Sequence, residues 1–447
     1  MTTTRRRAVL QLATGLAATL PVTSWARAGL SVPAVNAERL RRSLEDLSAF
    51  GRPAGGTFAD GVSRVAYSEA DVAGRALAMQ LMRAAGLTPV VDAAGNISGR
   101  RPGSDPSLRP ILIGSHIDTV PGGGNFDGIL GSLAAIEVVR TLEEHQVRTR
   151  HPIEIAIWSN EEGDPMGSAA ATGPVPALLM DSAAPANAAA RDALRRIGGD
   201  PAKVASARRA PGSIRCYLEL HIEQGGVLDA EKVPIGVVEG IVAIDQYEVT
   251  IEGVANHAGT TPMPLRQDAL IAAAKMIEAV NQIATAEPGA QVATVGKLEV
   301  TPNAANVIPG RVRHTVEIRD LSSDKVARLG AAMARRAQQI AAETQTRITM
   351  TRYLHLEPAL ADPALQTAIE AAAANLGLRT MRLPSGAGHD AQEVAKIGPM
   401  GMIFVPSVGG VSHSPKEFTT WADCANGANV LLGTLLAVDR KRSAGAR

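Results

Sequence analysis

Two short apolar runs with one amphipathic segment between them constrain the fold of this chain more than any other feature. The runs PILIG (110–114) and PIEIAIWS (152–159) have the length and aliphatic content of buried strands, and residues 128–145 follow a helical pattern. A strand, a helix and a second strand in this order are typical of an α/β layer architecture. The sequence therefore predicts the α/β fold class.

The pattern of apolar residues changes at about residue 241. QYEVTIEG (246–253) and VRHTVEIRD (312–320) alternate apolar and polar residues, as half-buried antiparallel strands do. The α/β pattern then returns, with GMIFVPS (401–407) as a strand. We therefore predict a smaller α+β domain inserted into a larger catalytic domain. The predicted bounds are 29–240 and 357–447 for the catalytic domain and 241–356 for the inserted domain.

The first 28 residues have the pattern of a secretory signal peptide. Arg5–Arg7 precede an apolar run at 8–22, and Ala26–Ala28 form an A-x-A cleavage site. Paired arginines before the apolar run favour the twin-arginine route, so we expect an exported, periplasmic protein. Alternatives are a cytoplasmic location, an uncleaved anchor and a disordered basic tail. The anchor is disfavoured because Pro21 interrupts a run that is already too short to span a membrane.

The composition excludes several classes of partner. Aromatic residues make up 3% of the 447 residues and the formal net charge is +1, so neither a stacking platform nor a basic surface for nucleic acid is expected. Cys216 and Cys424 form no CxxC pair, and buried free thiols are expected rather than a disulfide. We expect a small-molecule substrate, no nucleic acid and no stable membrane anchor.

The stretch GSHIDTVPGGGNFDG (114–128) gathers polar side chains just after the first predicted strand. His116 and Asp118 emerge where that strand ends, which is where open α/β sheets place their sites. A metal-bound imidazole usually donates its other N–H to a carboxylate, and Asp118 is a candidate for that carboxylate. Asp127 returns to the same place after the glycine bend. No GK[ST] follows, so a phosphate-binding loop is not expected.

Three further segments place acidic or imidazole groups near predicted strand ends. WSNEEGD contains Glu161 and Glu162, which we interpret as a general base and a metal ligand. LELHIEQGGVL contains His221, and PSVGGVSHSPKEFT contains His413. Each segment alone also fits a solvated turn or an ordinary hydrogen-bonded histidine. No GxSxG elbow occurs, so a serine nucleophile is not supported.

Taken together, these segments predict a metal centre. Mixed imidazole and carboxylate ligands suit zinc, manganese, cobalt or nickel, and one carboxylate shared by two ions would make a dinuclear site. The candidate metal ligands are His116, Asp127, Glu162, His221 and His413.

The chain from about residue 36 to 438 resembles the hydantoinase/carbamoylase family of metal-dependent amidohydrolases, which is similar to the dizinc aminoacylase and carboxypeptidase group. This family includes N-carbamoyl-L-amino acid hydrolases, β-ureidopropionases and allantoate amidohydrolases. The resemblance rests on DAAGNISGRRPG, GSHIDTVPGGGNFDG, ELHIEQG, NHAGTTPMPLRQDA, NAANVIPG, SGAGHDAQ and VSHSPKEFT. It implies a dizinc-exopeptidase-like catalytic domain, an inserted dimerisation or lid domain, two divalent metal ions and a homodimer.

The resemblance also implies how the ligands are shared. His116 and His221 would hold one metal ion, and Glu162 and His413 would hold the other. Asp127 would bridge the two ions.

Further roles follow from the same resemblance. Glu161 would be the general base, Asp118 would orient His116, and the peptide bond after Asp127 would be cis. His257 would act in catalysis by reaching the partner subunit's site. The implied substrate contacts are Gln224, Asn306, Arg319 and His389. From the residues alone, the arginine fits an ion pair with Asp320 or a neighbour equally well.

The predicted function is hydrolysis of a linear amide or ureido C–N bond in an N-carbamoyl amino acid or a related ureido acid, with release of ammonia and carbon dioxide. The alternatives are allantoate hydrolysis, aminoacylase or peptidase activity, and non-catalytic binding of ureido acids. His221 disfavours a peptidase, whose relatives more often carry a carboxylate there, and Glu161 disfavours a binding protein. EEGDPMGSAAATG (161–173) is shorter than the family pattern and lacks its Arg-Phe pair.

Overall fold

The computed structural model describes residues 32–163, 166–173 and 185–441. The predicted signal peptide at 1–28 lies outside the described residues, so export stays a prediction. The described residues from Pro33 onward form one compact unit. In this part of the chain, no helix has the length and apolar composition needed to cross a membrane.

The described chain alternates strands and helices on both sides of a strand-rich middle part. The strands are β1 (Val90–Val91), β2 (Ile97–Arg101), β3 (Ile111–His116), β4 (Ile153–Trp158), β5 (Cys216–Ile222), β6 (Ile235–Ile241), β7 (Ala243–Glu252), β8 (Asn256–His257), β9 (Val292–Thr294), β10 (Leu298–Thr301), β11 (Val307–Ile308), β12 (Arg311–Asp320), β13 (Arg347–Leu356), β14 (Ala359–Leu360), β15 (Thr380–Ser385) and β16 (Met400–Val405). The helices are α1 (Ala37–Leu47), α2 (Glu69–Ala84), α3 (Ile129–Glu144), α4 (Met166–Thr172), α5 (Pro185–Arg196), α6 (Val227–Glu231), α7 (Ala269–Ala286), α8 (Ser323–Thr344), α9 (Pro363–Asn375), α10 (Asp390–Val394) and α11 (Trp421–Arg440).

A large mixed sheet forms the main core. Its strands lie in the order β1-β2-β4-β3-β5-β16-β6-β14, and β15 pairs with β6. The central strands β4, β3, β5 and β16 are parallel to one another, and every residue of these four strands is buried. Full burial explains why their sequences read as continuous apolar runs rather than as alternating ones. The predicted α/β fold class is confirmed.

Several helices begin directly after a polar residue whose side chain caps the helix N-terminus. Ser68, Asp268 and Thr420 precede α2, α7 and α11, and each side chain accepts a hydrogen bond from a backbone N–H of the first helical turn. The helix predicted between the strands at 110–114 and 152–159 is confirmed as α3, which covers the sheet and buries most of its side chains.

A second, five-stranded antiparallel sheet is built from residues of the predicted insertion. Its strands lie in the order β10-β12-β7-β13, with β9 also paired to β12. Helices α7 and α8 pack on one face, where Val249, Val316 and Met333 are buried. The predicted strands at 246–253 and 312–320 are confirmed as β7 and β12. The domain bounds themselves stay a prediction, because the described residues form one compact unit.

A buried arginine ties the N-terminal helix to the loop after β3. Arg64 is fully buried, and its Nε donates to the carbonyl oxygen of Ile117 at 2.7 Å. Its Nη1 donates to the carbonyl oxygens of Leu47 and Phe50, both at 3.0 Å. A single guanidinium therefore satisfies three carbonyl groups that water does not readily reach.

We expect Arg64→Met to lower the free energy of unfolding by about 3 kcal/mol, because the three carbonyl groups lose their donor. Arg83→Met, at an exposed position of α2, is the matched control and should change stability by less than about 0.5 kcal/mol. Urea denaturation of both variants measures the difference. Equal stability of the two variants would contradict the structural role of Arg64.

Candidate active site

Four neighbouring parallel strands of the large sheet end at one place, and each leads to a candidate ligand or base. His116 is the last residue of β3, and His221 is the last but one of β5. Glu161 and Glu162 follow the end of β4 closely, and His413 follows β16 in the loop after a 3-10 turn. Parallel strands have their carboxyl ends at the same edge, which brings these side chains together.

The carboxylate of Asp127 lies at the centre of the cluster. Its Oδ1 lies 3.1 Å from His221 Nε2 and 3.8 Å from His116 Nε2, whereas its Oδ2 lies 3.2 Å from His413 Nε2. The same nitrogen of His413 lies 3.3 Å from Glu162 Oε2. Two groups of possible metal ligands therefore share Asp127, and each oxygen of its carboxylate faces a different group.

The two buried histidines present the same ring nitrogen to this centre. His116 Nδ1 contacts the carbonyl oxygen of Asp118 at 3.1 Å, and His221 Nδ1 contacts that of Ile222 at 2.9 Å. A carbonyl can only accept, so Nδ1 of each ring carries a proton, and in the neutral form of the ring Nε2 offers its lone pair. His116 Nε2 is buried without a hydrogen-bond partner among the described residues, and burial lowers the pKa of this ring to about 4. A neutral ring with an unused lone pair fits a metal ligand.

The acidic pair lies beside these imidazoles. Glu161 Oε2 lies 3.5 Å from His116 Nε2, and burial, followed by the charges of Asp390 and Glu162, raises the pKa of Glu161 well above its usual range. Burial and the charge of Asp127 raise the pKa of Glu162 to about 8. Crowded, buried acids favour a nearby cation, so the donor set is suited to divalent metal ions.

Asp118 contacts His116 through its main chain, whereas a carboxylate contact was expected. Its Oδ1 lies 3.8 Å from His116 Nδ1, whereas its two carboxylate oxygens accept from the backbone N–H groups of Glu161 at 3.3 Å and Glu162 at 3.2 Å. Asp118 therefore orients the imidazole of His116 through its main-chain carbonyl. Its side chain instead holds the turn that carries the acidic pair.

The expected cis peptide bond after Asp127 is wrong for this structure. Among the described residues, the cis peptide bond lies between Thr301 and Pro302. The chain turns at Gly128 instead, whose φ of 66° lies in the left-handed region. A Cβ at this position would lie 2.1 Å from His116 Nε2, so the glycine also leaves room for the imidazole.

Asp127, Glu161, Glu162 and His413 line a cavity of about 1040 Å³ that also reaches the second sheet. Arg319 of β12 lines the cavity there. Its Nε donates to Glu317 Oε1 at 2.7 Å and its Nη1 to the carbonyl oxygen of Gly386 at 2.6 Å. Its ion-pair partner is therefore Glu317 and not Asp320. Within the described part of the chain, Nη2 donates to no residue, which leaves N–H groups for a ligand in the cavity.

Two predicted substrate contacts lie next to the candidate ligands and line the same cavity. Gln224 Nε2 donates to Asp127 Oδ2 at 2.6 Å. The ring of His389 lies 4.4 Å from that of His221 between centroids, and its Nε2 lies 2.7 Å from Ser385 Oγ. Burial, followed by the charge of His221, lowers the pKa of His389 well below its usual range, so the ring is neutral.

His257 and Asn306 are not brought to this cavity. Both are exposed on the two-stranded ribbon of β8 and β11, where the N–H of Ala258 donates to the carbonyl oxygen of Asn306 at 3.0 Å. Neither residue lines the cavity that contains Glu161. Within one chain, the structure therefore separates these two predicted residues from the rest of the predicted site.

The sequence interpretation missed Glu417, which holds the turn that carries Asp127. Its Oε1 accepts from the backbone N–H groups of Phe126 at 2.9 Å and Asp127 at 3.1 Å. Its Oε2 accepts from the hydroxyl of Ser412 at 2.8 Å. The available signal was its position four residues after His413 in VSHSPKEFT, but an acidic residue in a loop is more often solvated.

The shortened segment after Glu162 is described only in part. Helix α4 follows it, and Ala169 of this helix lines the cavity. Residues 164–165 and 174–184 lie outside the described residues. The effect of the missing Arg-Phe pair on the shape of the cavity therefore stays a prediction.

Comparison with known proteins matches this arrangement to one family. The profile of peptidase family M20/M25/M40 matches residues 112–437. An N-carbamoyl-L-amino acid amidohydrolase from Geobacillus stearothermophilus is 41% identical over 406 residues, which cover 90% of this chain and 98% of that protein. An allantoate amidohydrolase from Bacillus subtilis (strain 168) is 34% identical over 400 residues, which cover 88% of this chain and 95% of that protein.

A solved structure gives the same result. The crystal structure of a hydantoinase/carbamoylase family amidase from Burkholderia ambifaria matches with a TM-score of 0.82 and 37% identity, over 91% of this chain and 98% of that one. The profile match and these relatives each span most of the chain. The chain therefore belongs to peptidase family M20/M25/M40 and, within it, to the hydantoinase/carbamoylase family of amidases.

Proposed function

We propose that the protein is a metal-dependent amidohydrolase that cleaves the C–N bond between the carbamoyl carbon and the amino nitrogen of an N-carbamoyl amino acid. One observation carries this proposal: a single cavity is lined by the shared carboxylate of Asp127, by the acid Glu161 and by Arg319 of the second sheet. The relative that is 41% identical is named for this substrate class. Hydrolysis would yield the amino acid, ammonia and carbon dioxide.

The proposed cofactor is a pair of divalent ions, either zinc or one of manganese, cobalt and nickel. His116 and His221 would hold one ion, Glu162 and His413 the other, and Asp127 both. The donor atoms within each set lie within 4.8 Å of one another, which supports this assignment. Ions bound there would polarise the substrate carbonyl as Lewis acids and lower the pKa of a bound water molecule toward neutral pH.

The side chains around this centre divide the remaining work. We propose that Glu161 takes the proton from the attacking water and delivers it to the leaving nitrogen. The backbone contacts of Asp118 hold Glu161 in place for this transfer. The free N–H groups of Arg319 would bind the substrate carboxylate, and Gln224 and His389 would contact its polar groups.

Three alternatives stay open to the same experiments. Allantoate hydrolysis is favoured by the 34% identity to the Bacillus subtilis enzyme. Aminoacylase or peptidase activity would need the same metal centre. A non-catalytic protein that captures ureido acids would need no base, and the position of Glu161 beside the ligand set argues against it.

A homodimer is proposed on the ribbon that carries His257 and Asn306. Both residues lie outside the cavity of their own chain, which supports contact with substrate in the site of a second copy. Met263 and Leu265 follow strand β8 of the ribbon closely in sequence and are 72% and 71% exposed, which supports a protein partner there.

Export to the periplasm is a separate proposal that rests on residues 5–28, and detection in the periplasmic fraction would test it.

We expect Glu161→Gln to lower kcat by about a hundredfold or more, because the general base is lost while the shape of the side chain is kept. The measurement is ammonia and amino-acid release from N-carbamoyl-L-amino acids by the metal-loaded enzyme. Allantoate, N-acetyl amino acids and dipeptides complete the panel. Glu231→Gln, at an exposed position, is the control and should keep full activity. Turnover by Glu161→Gln at the rate of the control would rule out the assigned role.

Metal affinity should rise with pH. Without metal, burial acts to lower the pKa of His221, but the hydrogen bond with Asp127 outweighs it and raises the pKa to about 9. The same carboxylate raises the pKa of His413 to about 9. Glu162 has a pKa of about 8. All three groups hold protons below these values and must lose them to bind metal, so affinity should increase about tenfold or more per pH unit from pH 6 to 8.

Calorimetric titration with Mn²⁺ in buffers of different ionisation enthalpy counts the protons released. We expect His413→Asn to release about one proton fewer than the unmodified protein, because one protonated ligand is missing. His145→Asn, an exposed histidine at the end of α3, is the control. Metal binding without any proton release would contradict the assigned ligand set.

Mixing two inactive variants tests whether His257 acts across a dimer. If it does, a heterodimer of Glu161→Gln and His257→Ala chains has one site with both native residues. Random exchange of subunits should then restore about a quarter of the normal activity. If His257 acts within its own chain, no site is restored and the mixture stays inactive. Each variant mixed with itself is the control.

A further inference from the structure

The open face of the second sheet carries a row of side chains that begins at Arg319. In the antiparallel register, Arg319 on β12 lies opposite Ile244 on β7, and Ile244 lies opposite Leu356 on β13. Directly opposed residues share a face, and neighbouring strands lie about 4.8 Å apart. Ile244 therefore lies one strand away from Arg319 in this row, and Leu356 lies two strands away.

The next row on this face continues the same division. Glu317 lies opposite Gln246, and Gln246 lies opposite Leu354. Gln246 Nε2 donates to Glu317 Oε2 at 2.6 Å, and Glu317 Oε1 accepts from Arg319, so the polar side chains satisfy one another. Ile244, Leu354 and Leu356 are left as an aliphatic surface beside the arginine, which we call the aliphatic shelf.

The shelf faces the cavity of the candidate active site and not the core of the second sheet. All three of its residues line that cavity. Leu356 is 39% exposed, Leu354 is partly exposed, and Ile244 lines the cavity with 7% of its surface exposed. Val316 and Ile318, on the opposite face of the sheet, are fully buried in the core under α7 and α8. An aliphatic side chain left open to a cavity gains free energy when a ligand covers it.

Charged groups elsewhere in the cavity are already paired. Lys396 Nζ lies 2.6 Å from Glu393 Oε1, and His355 Nε2 lies 2.9 Å from Glu357 Oε1. The uncharged amide of Gln392 donates through Nε2 to the carbonyl oxygen of Glu357 at 2.9 Å. These groups therefore do not call for a charged or polar substituent on the ligand near the shelf.

We propose that Ile244, Leu354 and Leu356 determine side-chain specificity and select ureido acids with a branched or long aliphatic side chain. This inference rests on the proposed function, in which Arg319 binds the α-carboxylate. The side chain leaves from the carbon next to that carboxylate, so it lies over Ile244 and, when longer, reaches Leu356. Allantoate carries a second ureido group on that carbon, and burying this group against the shelf would leave its hydrogen bonds unmade.

Binding of a substrate series tests the shelf without turnover. Calorimetry with metal-loaded Glu161→Gln protein would compare N-carbamoyl derivatives of glycine, L-alanine, L-valine and L-leucine, together with allantoate. We expect affinity to rise about tenfold or more from the glycine to the leucine derivative. Adding Leu356→Gln should remove most of this gain while leaving the affinity for the glycine derivative within about twofold.

The matched control is Leu376→Gln, at a position 48% exposed that follows helix α9 and does not line the cavity. It should leave the whole series unchanged. Equal affinity for the glycine and leucine derivatives, or an equal loss for both in Leu356→Gln, would overturn the shelf.

Failure of the proposed function is recognised separately. Hydrolysis of N-acetyl-L-leucine but of no ureido acid would overturn the ureido chemistry. The role of the shelf could then still be tested with acetylated substrates. The measurement would be the ratio of kcat/KM for N-acetyl-L-leucine to that for N-acetylglycine, compared between Leu356→Gln and Leu376→Gln. If none of these carboxylates bound to the protein, both proposals would be overturned.

Discussion

One buried carboxylate organises the candidate site. Asp127 is 4% exposed, and without partners its charge would be costly at this depth. Burial opposes ionisation, but contacts with His221 and His413 hold the pKa of Asp127 well below its usual value. Glu417 accepts hydrogen bonds from the backbone N–H groups of Phe126 and Asp127, and so fixes the backbone that leads into Asp127. The proposed metal ligands, which follow four different strands, are therefore all grouped around the carboxylate of Asp127.

The close packing of the sheet and α3 makes this convergence possible. Glycine at 131 lets α3 approach β5, because a Cβ there would lie 2.1 Å from the carbonyl oxygen of Leu220. The hydroxyl of Ser132 on the same helix donates to the carbonyl oxygen of His116 at 2.8 Å. The loop between β3 and α3 is thus held at both ends, and Asp127 lies within it. Rigid placement of this kind is what a metal centre requires of its ligands.

The two sheets contribute different chemistry to one cavity. The large sheet places the acids and imidazoles at its carboxyl edge, whereas the second sheet offers Arg319 and an aliphatic row. Where the chain returns to the large sheet, His355 contacts Asp245 at 2.6 Å and Glu357 at 2.9 Å. His355 and Asp245 lie on paired strands of the second sheet, and Glu357 directly follows β13, so this network joins the second sheet to the segment that leads back to the large sheet.

The sequence by itself determined the order of strands and helices and the candidate metal ligands. Both depend on local patterns: apolar runs for β3 and β4, alternation for β7 and β12, and His, Asp and Glu residues placed just after strands. Only the tertiary structure decided how these parts meet. The bond between Glu417 and Asp127 joins residues 290 apart, and the row beside Arg319 depends on the register of three strands. Contacts across such distances depend on packing, which no local pattern records.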